Sequence, residues 1–264
     1  MNDNLNNLRK IDILEAHSER AHFQLGEIDR DRVFCKHYEV AGTRIHIEDP
    51  SPKERIGRVR GFGTHRPVTK DDCNTVFDIL EQNNVTNIRF RVPPAGQEEE
   101  IRTWLKERGL KRLTFAAQWI VSTEPQRTVA TSLAIQEIDQ GNAYQFAQIV
   151  VKNYRIKTKD AVAYYQRMVG APGFTCFMAF DGEIPAGTGA IYSVGDGCIV
   201  FYGTTIAPYR KQGLQQSMIG YRLNHARAAG LTWASAMTIT NDRSSRNLRR
   251  QGFAKAWDED VYGR

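Results

Sequence analysis

The same order of segments occurs in both halves of the chain, and this repetition restricts the possible folds more than any other feature. Each half reads as helix, strand, helix, Gly and strand, shifted by 145 residues for the first two segments and by 143 for the third. Chance similarity is the alternative, because this order is common in α/β proteins, but three segments in near-constant register favour a tandem repeat. The corresponding segments are 71–82 with 216–227, 87–92 with 232–237, and 100–112 with 243–255.

The chain is long enough to hold the two repeats as separate domains. Its 264 residues exceed the usual size of one domain, which is about 100–150 residues. The segment STEPQRTVAT at 122–131 follows a strand-like FAAQWIV and interrupts the apolar pattern with Pro125 and polar residues, which indicates a linker. We therefore expect an α/β fold with mixed sheets, arranged as two domains over residues 1–125 and 131–264.

The second half alternates strand-like and helix-like segments. Alternating apolar residues predict strands, apolar residues at helical spacing predict helices, and Asp181-Gly182 predicts a turn. Two of the strands form a predicted hairpin around Gly195-Asp196-Gly197. The predicted strands are 132–138, 174–180, 186–194, 198–206, 233–239 and 254–261, and the predicted helices are 142–154, 159–169, 214–229 and 243–250.

The composition is typical of a folded protein outside the membrane. Hydrophobic residues make up 41% and charged residues 25%, and no stretch approaches the roughly 18–20 apolar residues of a membrane span. The segment MNDNLNNLRKIDILEAH has no basic part followed by an apolar run, so we expect a cytoplasmic protein. Scattered cysteines without metal-ligand spacing predict reduced, mostly buried thiols and no metal: Cys35, Cys73, Cys176 and Cys198.

The net charge of +6 is concentrated in the second half. Residues 132–264 hold 15 Lys or Arg against 10 Asp or Glu, whereas the preceding residues hold 21 against 20. A polyanionic cofactor and a nucleic acid both explain a basic surplus of this size. The sequence shows no helix-turn-helix or zinc pattern, and the surplus accompanies the basic turn at 204–217, which favours the cofactor.

This basic turn joins a predicted strand to a predicted helix. Its sequence is TTIAPYRKQGLQQS, and the helix opens at Gly213. A helix N-terminus has unpaired backbone N–H groups and carries about half a positive charge, so the turn is suited to a pyrophosphate. Gly213 lets the backbone approach the phosphates without a side-chain clash. An ordinary basic turn is the alternative for this segment taken alone.

The turn resembles the acyl-CoA motif of the GNAT N-acetyltransferases, Arg/Gln-x-x-Gly-x-Gly/Ala. Arg210 and Gly213 match, whereas Gln215 stands where the family usually has Gly or Ala and narrows the space beside the phosphates. One helix and one strand later, 241–253 (NDRSSRNLRRQGF) resembles the family's later motif, in which Asn, Ser and a Gly-Phe pair flank a short helix. The resemblance implies acetyl-CoA or a similar acyl-CoA as co-substrate, with no metal, and covers most of 132–264 as architecture.

The resemblance also implies a role for the individual motif residues. The backbone of Ile206 would hydrogen-bond the pantetheine, the amides of 211–216 would hold the pyrophosphate, and Asn241 or Asn247 would contact the pantetheine arm. The whole implied cofactor set is Thr205, Ile206, Arg210, Lys211, Gln212, Gly213, Leu214, Gln215, Gln216, Asn241, Asn247 and Arg250.

Three arginines of the later motif have two interpretations. One of Arg246, Arg249 and Arg250 would meet the 3′-phosphate of CoA bidentately. Alternatively, all three belong to a solvated helix face.

The first half lacks the residues of this motif. When the 145-residue shift is extended through the turn, His65 aligns with Arg210, Pro67 with Gln212 and Val68 with Gly213. Val68 has a Cβ where the turn needs none, and Pro67 has no N–H to donate. We therefore expect residues 1–125 to form a degenerate GNAT-like domain without a cofactor site.

The catalytic residues are not evident from the sequence. Members of the family often use a Glu on the strand before the turn as general base and a Tyr in the later helix as general acid. Leu248 stands at the position of that Tyr, and no carboxylate stands at the position of that Glu. Tyr202 is a weak candidate, since it alone can exchange a proton among the residues that alternation places on its face. That predicted face comprises Val200, Tyr202, Thr204 and Ile206.

We expect an N-acyltransferase that moves an acetyl or similar acyl group from coenzyme A to a primary amine of a small molecule or peptide. The amine can lose its proton to water while the enzyme supplies proximity and a polarised thioester. A non-catalytic acyl-CoA-binding regulatory module is the alternative, and nucleic-acid binding is disfavoured. Asp258, Glu259 and Asp260 either line the acceptor side or form a solvated turn.

Overall fold

The computed structural model describes residues 2–27, 35–51, 54–124, 130–158, 160–239 and 243–264. The chain divides into two units, the first comprising 1–118 and 256–264 and the second comprising 119–255. The division falls within the strands Lys111–Ser122 and Ala254–Gly263. The predicted linker lies partly outside the described residues, and the assignment of domains to 1–125 and 131–264 stays a prediction.

The described residues of the first unit form a mixed sheet and the helices α1 to α3. Its elements are α1 (Asn2–Glu27), β1 (Cys35–Val40), β2 (Thr43–Ser51), β3 (Glu54–Arg60), α2 (Lys70–Gln82), β4 (Asn87–Val92), α3 (Glu98–Glu107), the first part of β5 (Lys111–Ser122) and most of β11 (Ala254–Gly263). The strand order is β1-β2-β3-β4-β11-β5. Strands β3 and β4 are parallel, whereas β1 with β2, β2 with β3, and β11 with β4 are antiparallel.

Helix α2 starts at a complete capping box. The Thr69 hydroxyl accepts the Asp72 N–H at 3.2 Å, and the Asp72 carboxylate accepts the Thr69 N–H at 2.8 Å. Such a box satisfies backbone donors that a helix N-terminus otherwise leaves unpaired. The apolar face of α2 then packs into the core of the unit through residues at helical spacing, which are Cys73, Val76, Phe77 and Leu80.

Helix α1 is tied to the first unit by ion pairs. Arg44 is 4% exposed. Its guanidinium forms ion pairs with Asp12 at 2.8 Å and with Glu19 at 2.7 Å. A buried charge of this kind is tolerated only because carboxylates pair with it. Further pairs join Glu19 to Arg60, Glu15 to Arg91 and Asp12 to His65.

The acidic residues near the C-terminus do not form a solvated turn. Glu259 and Asp260 lie within β11, which pairs with β4 in the first unit. Glu259 is 5% exposed and pairs with Arg91, and Asp260 binds Arg102 at 2.9 Å. Both carboxylates therefore pair with arginines of the first unit, and the expectation that this segment lines an acceptor site stays a prediction.

The second unit is also a mixed α/β structure. Its elements are β6 (Ala134–Glu137), α4 (Ala143–Tyr154), α5 (Ala161–Met168), β7 (Phe174–Asp181), β8 (Ile184–Val194), β9 (Gly197–Thr205), α6 (Leu214–Ala228), β10 (Trp233–Ile239) and α7 (Arg243–Arg250). The strand order is β10-β9-β8-β7-β6, with antiparallel pairs from β6 to β9 and a parallel pair between β9 and β10. The described cysteines of this unit, Cys176 and Cys198, are buried free thiols, and burial raises the pKa of each to about 12.

The predicted elements of the second half are confirmed. Strand β10 and helix α7 have the predicted bounds, and the other predicted bounds agree with the observed ones within two residues. In the first unit, β4 also has its predicted bounds. Because Thr69 is the N-cap of α2 and Gly213 is the N-cap of α6, the helix starts correspond at a shift of 144 residues. Thr69, and not Val68, therefore stands opposite Gly213.

Candidate functional site

Strands β9 and β10 separate after a short region of pairing. Their register comprises Trp233 with Gly197, Ala234 with Cys198 and Ser235 with Ile199. Beyond these pairs, β9 continues from Val200 to Thr205 and β10 from Ala236 to Ile239 without pairing to each other. The facing edges of the two strands thus border an opening. Backbone N–H and C=O groups on these edges can form hydrogen bonds with a ligand.

A β-bulge lies on β9 beside this opening. The register between β8 and β9 shifts between Thr188 and Ala190, which pair with Thr204 and Phe201. Tyr202 lies in the shifted part, and its φ of 49° is in the left-handed region. A left-handed conformation of a bulky residue costs about 1–3 kcal/mol and persists only where the surroundings impose it. The bulge is therefore a specific feature of the strand that its surroundings maintain.

The bulge overturns the predicted alternation along β9. The Tyr202 ring contacts Tyr154 of α4 and Tyr165 of α5, with ring centroids 5.9 and 5.1 Å away. A Cβ at Gly203 would instead lie 3.2 Å from Arg222 of α6. Val200 pairs with Ile191, two residues from Gly189, whose Cβ would also meet α6. Val200 and Tyr202 therefore lie on opposite faces, because the bulge breaks the period of two.

The turn that follows β9 presents backbone N–H groups. Lys211 has φ of 66° and Gly213 has φ of 80°, whereas Gln212 between them has no such left-handed φ. Where left- and right-handed residues alternate, successive N–H groups can turn to one side and form a concavity that suits an anion. No described acceptor forms a hydrogen bond with the N–H groups of 211–214. The turn brings together the contiguous predicted residues, which are Thr205, Ile206, Arg210, Lys211, Gln212, Gly213, Leu214, Gln215 and Gln216.

Helix α6 begins without a side-chain cap. Its N-cap is Gly213, and the described first turn contains no acidic residue. The N–H groups of Gln216 and Ser217 bond to the Gly213 carbonyl at 2.9 and 3.2 Å, so these two are not available to a ligand. Leu214, the first residue of the helix, is buried. The amides available to an anion are therefore fewer than the predicted range of 211–216.

The side chains of the turn are held against β9 and α4. The Arg210 guanidinium donates to the Thr205 carbonyl at 3.0 Å and to the Asn153 amide oxygen at 3.2 Å. The Gln215 amide lies beside Gly203, where a Cβ would be 2.5 Å from its nitrogen. Gln215 thus folds back onto β9, and Gly203 leaves the space for it.

The later predicted residues lie on or before α7, and α7 packs against α6. Asn247 is 9% exposed, whereas Arg246 and Arg250 are exposed. Arg249 stacks over the Trp119 ring at 5.2 Å, so it has a packing role. Asn241 lies outside the described residues.

Tyr202 is not poised as a base. Burial raises the pKa of its phenol well above the ordinary value, and the neighbouring Tyr165 and Tyr164 raise it further. A phenol with a raised pKa stays protonated at neutral pH. The surrounding rings meet nearly edge to face, at interplanar angles of 84° for Tyr165 and 86° for Tyr154. These contacts account for Tyr202 as a packed aromatic residue.

Arg222, Gly189 and Gly203 were missed by sequence reasoning. They surround the bulge, and Arg222 is 1% exposed. The only signal in the sequence is the spacing of small residues in Gly187-Thr188-Gly189 and Tyr202-Gly203, which indicates close approach but not by which group.

The described residues contain no cluster of three or more His, Cys, Asp or Glu that could hold a metal ion. In the same part of the chain, no helix is both long enough and apolar enough to cross a membrane.

The fold is similar to that of solved GCN5-related N-acetyltransferases. One, from Kribbella flavida, is 15% identical with a TM-score of 0.64, and the match covers 93% of this chain and 94% of that one. Another, from Sphaerobacter thermophilus, is 8% identical with a TM-score of 0.59 over 84% of this chain and 76% of that one.

A tandem GNAT protein from the clavulanic acid biosynthesis pathway is 11% identical with a TM-score of 0.61, and the match covers 90% of this chain and 86% of that one. No protein-family model and no curated protein matches the sequence. At these identities the likeness concerns the mixed α/β fold. The chemistry of this chain has to be argued from its own site.

Proposed function

We propose that the protein is an N-acyltransferase that transfers an acetyl or similar acyl group from coenzyme A to a primary amine. The observation that carries the proposal is the uncapped start of α6, which lies at the end of the strand that borders the opening between β9 and β10. The fold shared with N-acetyltransferases supports this interpretation.

The turn from Ile206 to Gly213 suits the pyrophosphate of CoA. Its N–H groups at 211–214 have no described acceptor, and the positive end of α6 favours an anion. Arg210 and Lys211 add positive charge at the same place. The absence of an acidic residue from the described first turn removes a source of repulsion.

The opening between β9 and β10 suits the pantetheine arm. That arm carries two amide groups, which can hydrogen-bond to backbone groups on the edge of β9 that does not pair with β10, between Val200 and Thr205. From the pyrophosphate turn, the arm would run along β9 toward the bulge at Tyr202. The thioester would then lie beside the bulge, where the strands diverge.

The reaction needs little from protein side chains if the amine arrives unprotonated. The amine nitrogen attacks the thioester carbonyl carbon, the C–N bond forms, and the C–S bond breaks as the thiolate of CoA leaves. The proton lost by nitrogen passes to water, and the thiolate takes up a proton from solvent. The protein supplies proximity and backbone donors to the carbonyl oxygen.

We also propose that the first unit is a degenerate copy of the second. The order β3, α2, β4, α3, β5 repeats the order β9, α6, β10, α7, β11. In the first copy, the helix start is capped by Thr69 and Asp72, and the Val68 N–H donates to the Gln97 side chain at 2.8 Å. An anion would therefore find these donors already used.

Calorimetric titration with acetyl-CoA tests the proposal. We expect one site per chain and a rise in melting temperature with ligand concentration. Thiol release is then followed over a panel of primary amines, with free CoA as the ligand control. No binding would overturn the proposal, and two equivalent sites would overturn the degenerate first copy. Binding without thiol release over any amine would favour the non-catalytic module.

A further inference from the structure

Arg222 is a buried cation on α6 that bonds to backbone carbonyls. Its Nε donates to the Met218 carbonyl at 3.1 Å, and its Nη1 donates to the carbonyls of Ala190 at 3.3 Å and Phe201 at 2.9 Å. The residue is 1% exposed. Burying a guanidinium costs several kcal/mol unless hydrogen bonds compensate, and here the three carbonyl acceptors supply that compensation.

The space for Arg222 is provided by two glycines. A Cβ at Gly189 of β8 would lie 3.0 Å from Nε, and a Cβ at Gly203 of β9 would lie 3.2 Å from Nη2. A Cβ at either position would require the guanidinium to shift by a few tenths of an ångström, and a Cβ at Gly203 would also displace the Gln215 amide. The bulge and Arg222 therefore form one arrangement, in which the strands leave room and the guanidinium bridges them.

The direction of the Tyr202 N–H follows from this bridge. The same Nη1 donates to Ala190 on β8 and to Phe201 on β9, so the Phe201 carbonyl points to the β8 side. The peptide bond between Phe201 and Tyr202 is trans, as are all those described, and a trans peptide directs its N–H opposite to its C=O. The Tyr202 N–H therefore points to the edge of β9 that faces the opening.

The charge of Arg222 also strengthens that N–H as a donor. A cation bound to a peptide carbonyl withdraws electron density from the peptide group, and linked hydrogen bonds polarise one another in a low-dielectric interior. Burial lowers the pKa of Arg222 to about 10, and the nearby Tyr154 and Cys198 partly offset this effect. The guanidinium is therefore charged at neutral pH.

We infer that Arg222 is a positioning residue for acyl transfer, which orients and polarises the Phe201–Tyr202 peptide so that the Tyr202 N–H can hold the thioester oxygen. The inference rests on the proposed function and adds a residue that acts through the backbone. A residue that merely packs α6 on the sheet would stabilise the fold without affecting the thioester carbonyl.

Isotope-edited infrared spectroscopy of bound acetyl-CoA, with ¹³C in the acetyl carbonyl, separates these two roles. In the parent, we expect the carbonyl band to move to lower frequency than in solution, because the N–H polarises it. In Arg222→Gln the shift should shrink, kcat should fall by about 10- to 100-fold, and KM for acetyl-CoA and the affinity for free CoA should change less than about threefold. Arg222→Lys, which keeps the charge, should recover part of the shift.

Gly189→Ala provides a second variant should the Arg222 variants unfold. It keeps the guanidinium but displaces it, so the carbonyl shift should again shrink while free CoA still binds. An unchanged band and unchanged kcat in folded Arg222→Gln or in Gly189→Ala would overturn the inference and leave the proposed function intact. A parent protein that fails to bind acetyl-CoA would instead overturn the proposed function, and this inference with it.

Discussion

The starts of helices α2 and α6 occupy matching places in the two units but have opposite chemistry. At α2, Thr69 and Asp72 satisfy each other's donors, and Asp71 adds a second acidic residue. At α6, Gly213 supplies no side chain, and the described first turn is free of acidic residues. The same order of elements thus forms a closed, acidic helix start in one unit and an open, electropositive one in the other.

The strands that precede these helices also differ, in how far each stays paired with its parallel neighbour. Strands β3 and β4 stay paired from Ile56 with Asn87 to Val59 with Phe90, one residue before β3 ends. Strand β9 loses its pairing to β10 after Ile199 and continues for most of its length. The turn after β3 is also tied to α1, because His65 bonds to Asp12 at 2.7 Å. The two units therefore share an order of elements but differ in the strand pairing and helix capping that decide which backbone groups a ligand could reach.

The largest expected effect is on the stability of the first unit. Asp12→Ala leaves the buried Arg44 with one carboxylate partner instead of two and removes the partner of His65. Breaking a buried ion pair costs about 3–5 kcal/mol, so we expect a loss of about 3 kcal/mol in the free energy of unfolding. Urea denaturation, followed by hydrogen exchange in α1 and β2, measures it. Weaker binding of CoA by the folded variant would break the comparison between the two units.

The pH dependence of this variant provides its control. Burial raises the pKa of the Asp12 carboxyl, but bonds and charge from Arg44 and His65 outweigh it and hold the pKa below its ordinary value. The unfolded chain then binds the proton more readily, so the stabilisation is present at neutral pH and is lost as pH falls through the folded pKa. Parent and variant should converge in stability in acid, and a constant difference would contradict the assigned ion pair.

Gly213→Val should weaken CoA binding by at least about 100-fold, or about 2.7 kcal/mol. A β-branched residue is strained at φ of 80° and its methyl groups would intrude on the N–H concavity. Calorimetry with free CoA measures the affinity, and hydrogen exchange in α6 checks that the helix is intact. The matched change Thr69→Val in the first unit should leave the affinity unaltered. Equal affinities of parent and Gly213→Val would exclude the turn as the pyrophosphate site.

Thr69→Ala should lower the stability of the first unit by about 1 kcal/mol, because it removes an N-cap. Thermal denaturation with hydrogen exchange in α2 measures this effect. The same change exposes backbone donors but leaves Asp71 and Asp72 in place, so it should not create a CoA site. A second binding event in calorimetry would show that the cap alone separates the two units.

Tyr202→Phe should have the smallest effect, with acyl transfer staying within a fewfold of the parent. The raised pKa of its phenol argues against proton exchange at neutral pH, and its ring contacts survive the substitution. The pH profile of kcat should follow the acceptor amine in both proteins. A fall of about 10²–10⁴-fold with unchanged CoA affinity would make Tyr202 a catalytic residue.

Much of the second unit could be predicted from the sequence, because local patterns suffice for its elements. The hydrophobic alternation of β10 and the Gly before α6 act within a few residues of chain. Helix α1 was not predicted, because its buried apolar residues Leu8, Ile11 and Leu14 stand in a mostly polar sequence and its carboxylates find their partners on strands far along the chain. The offset of one residue between Val68 and Thr69 has the same cause, because the capping box fixes where α2 starts.

By itself the sequence determined the order of the elements in the second half and the basic turn that ends at Gly213. Only the tertiary structure decided that β9 carries a bulge at Tyr202, that β9 and β10 part after Ile199, and that Arg222 reaches the Phe201 carbonyl. The physical reason is the distance along the chain over which each interaction acts. Capping and periodicity act between neighbours in the chain, whereas a bulge and a buried cation depend on groups brought together from separate strands and a helix.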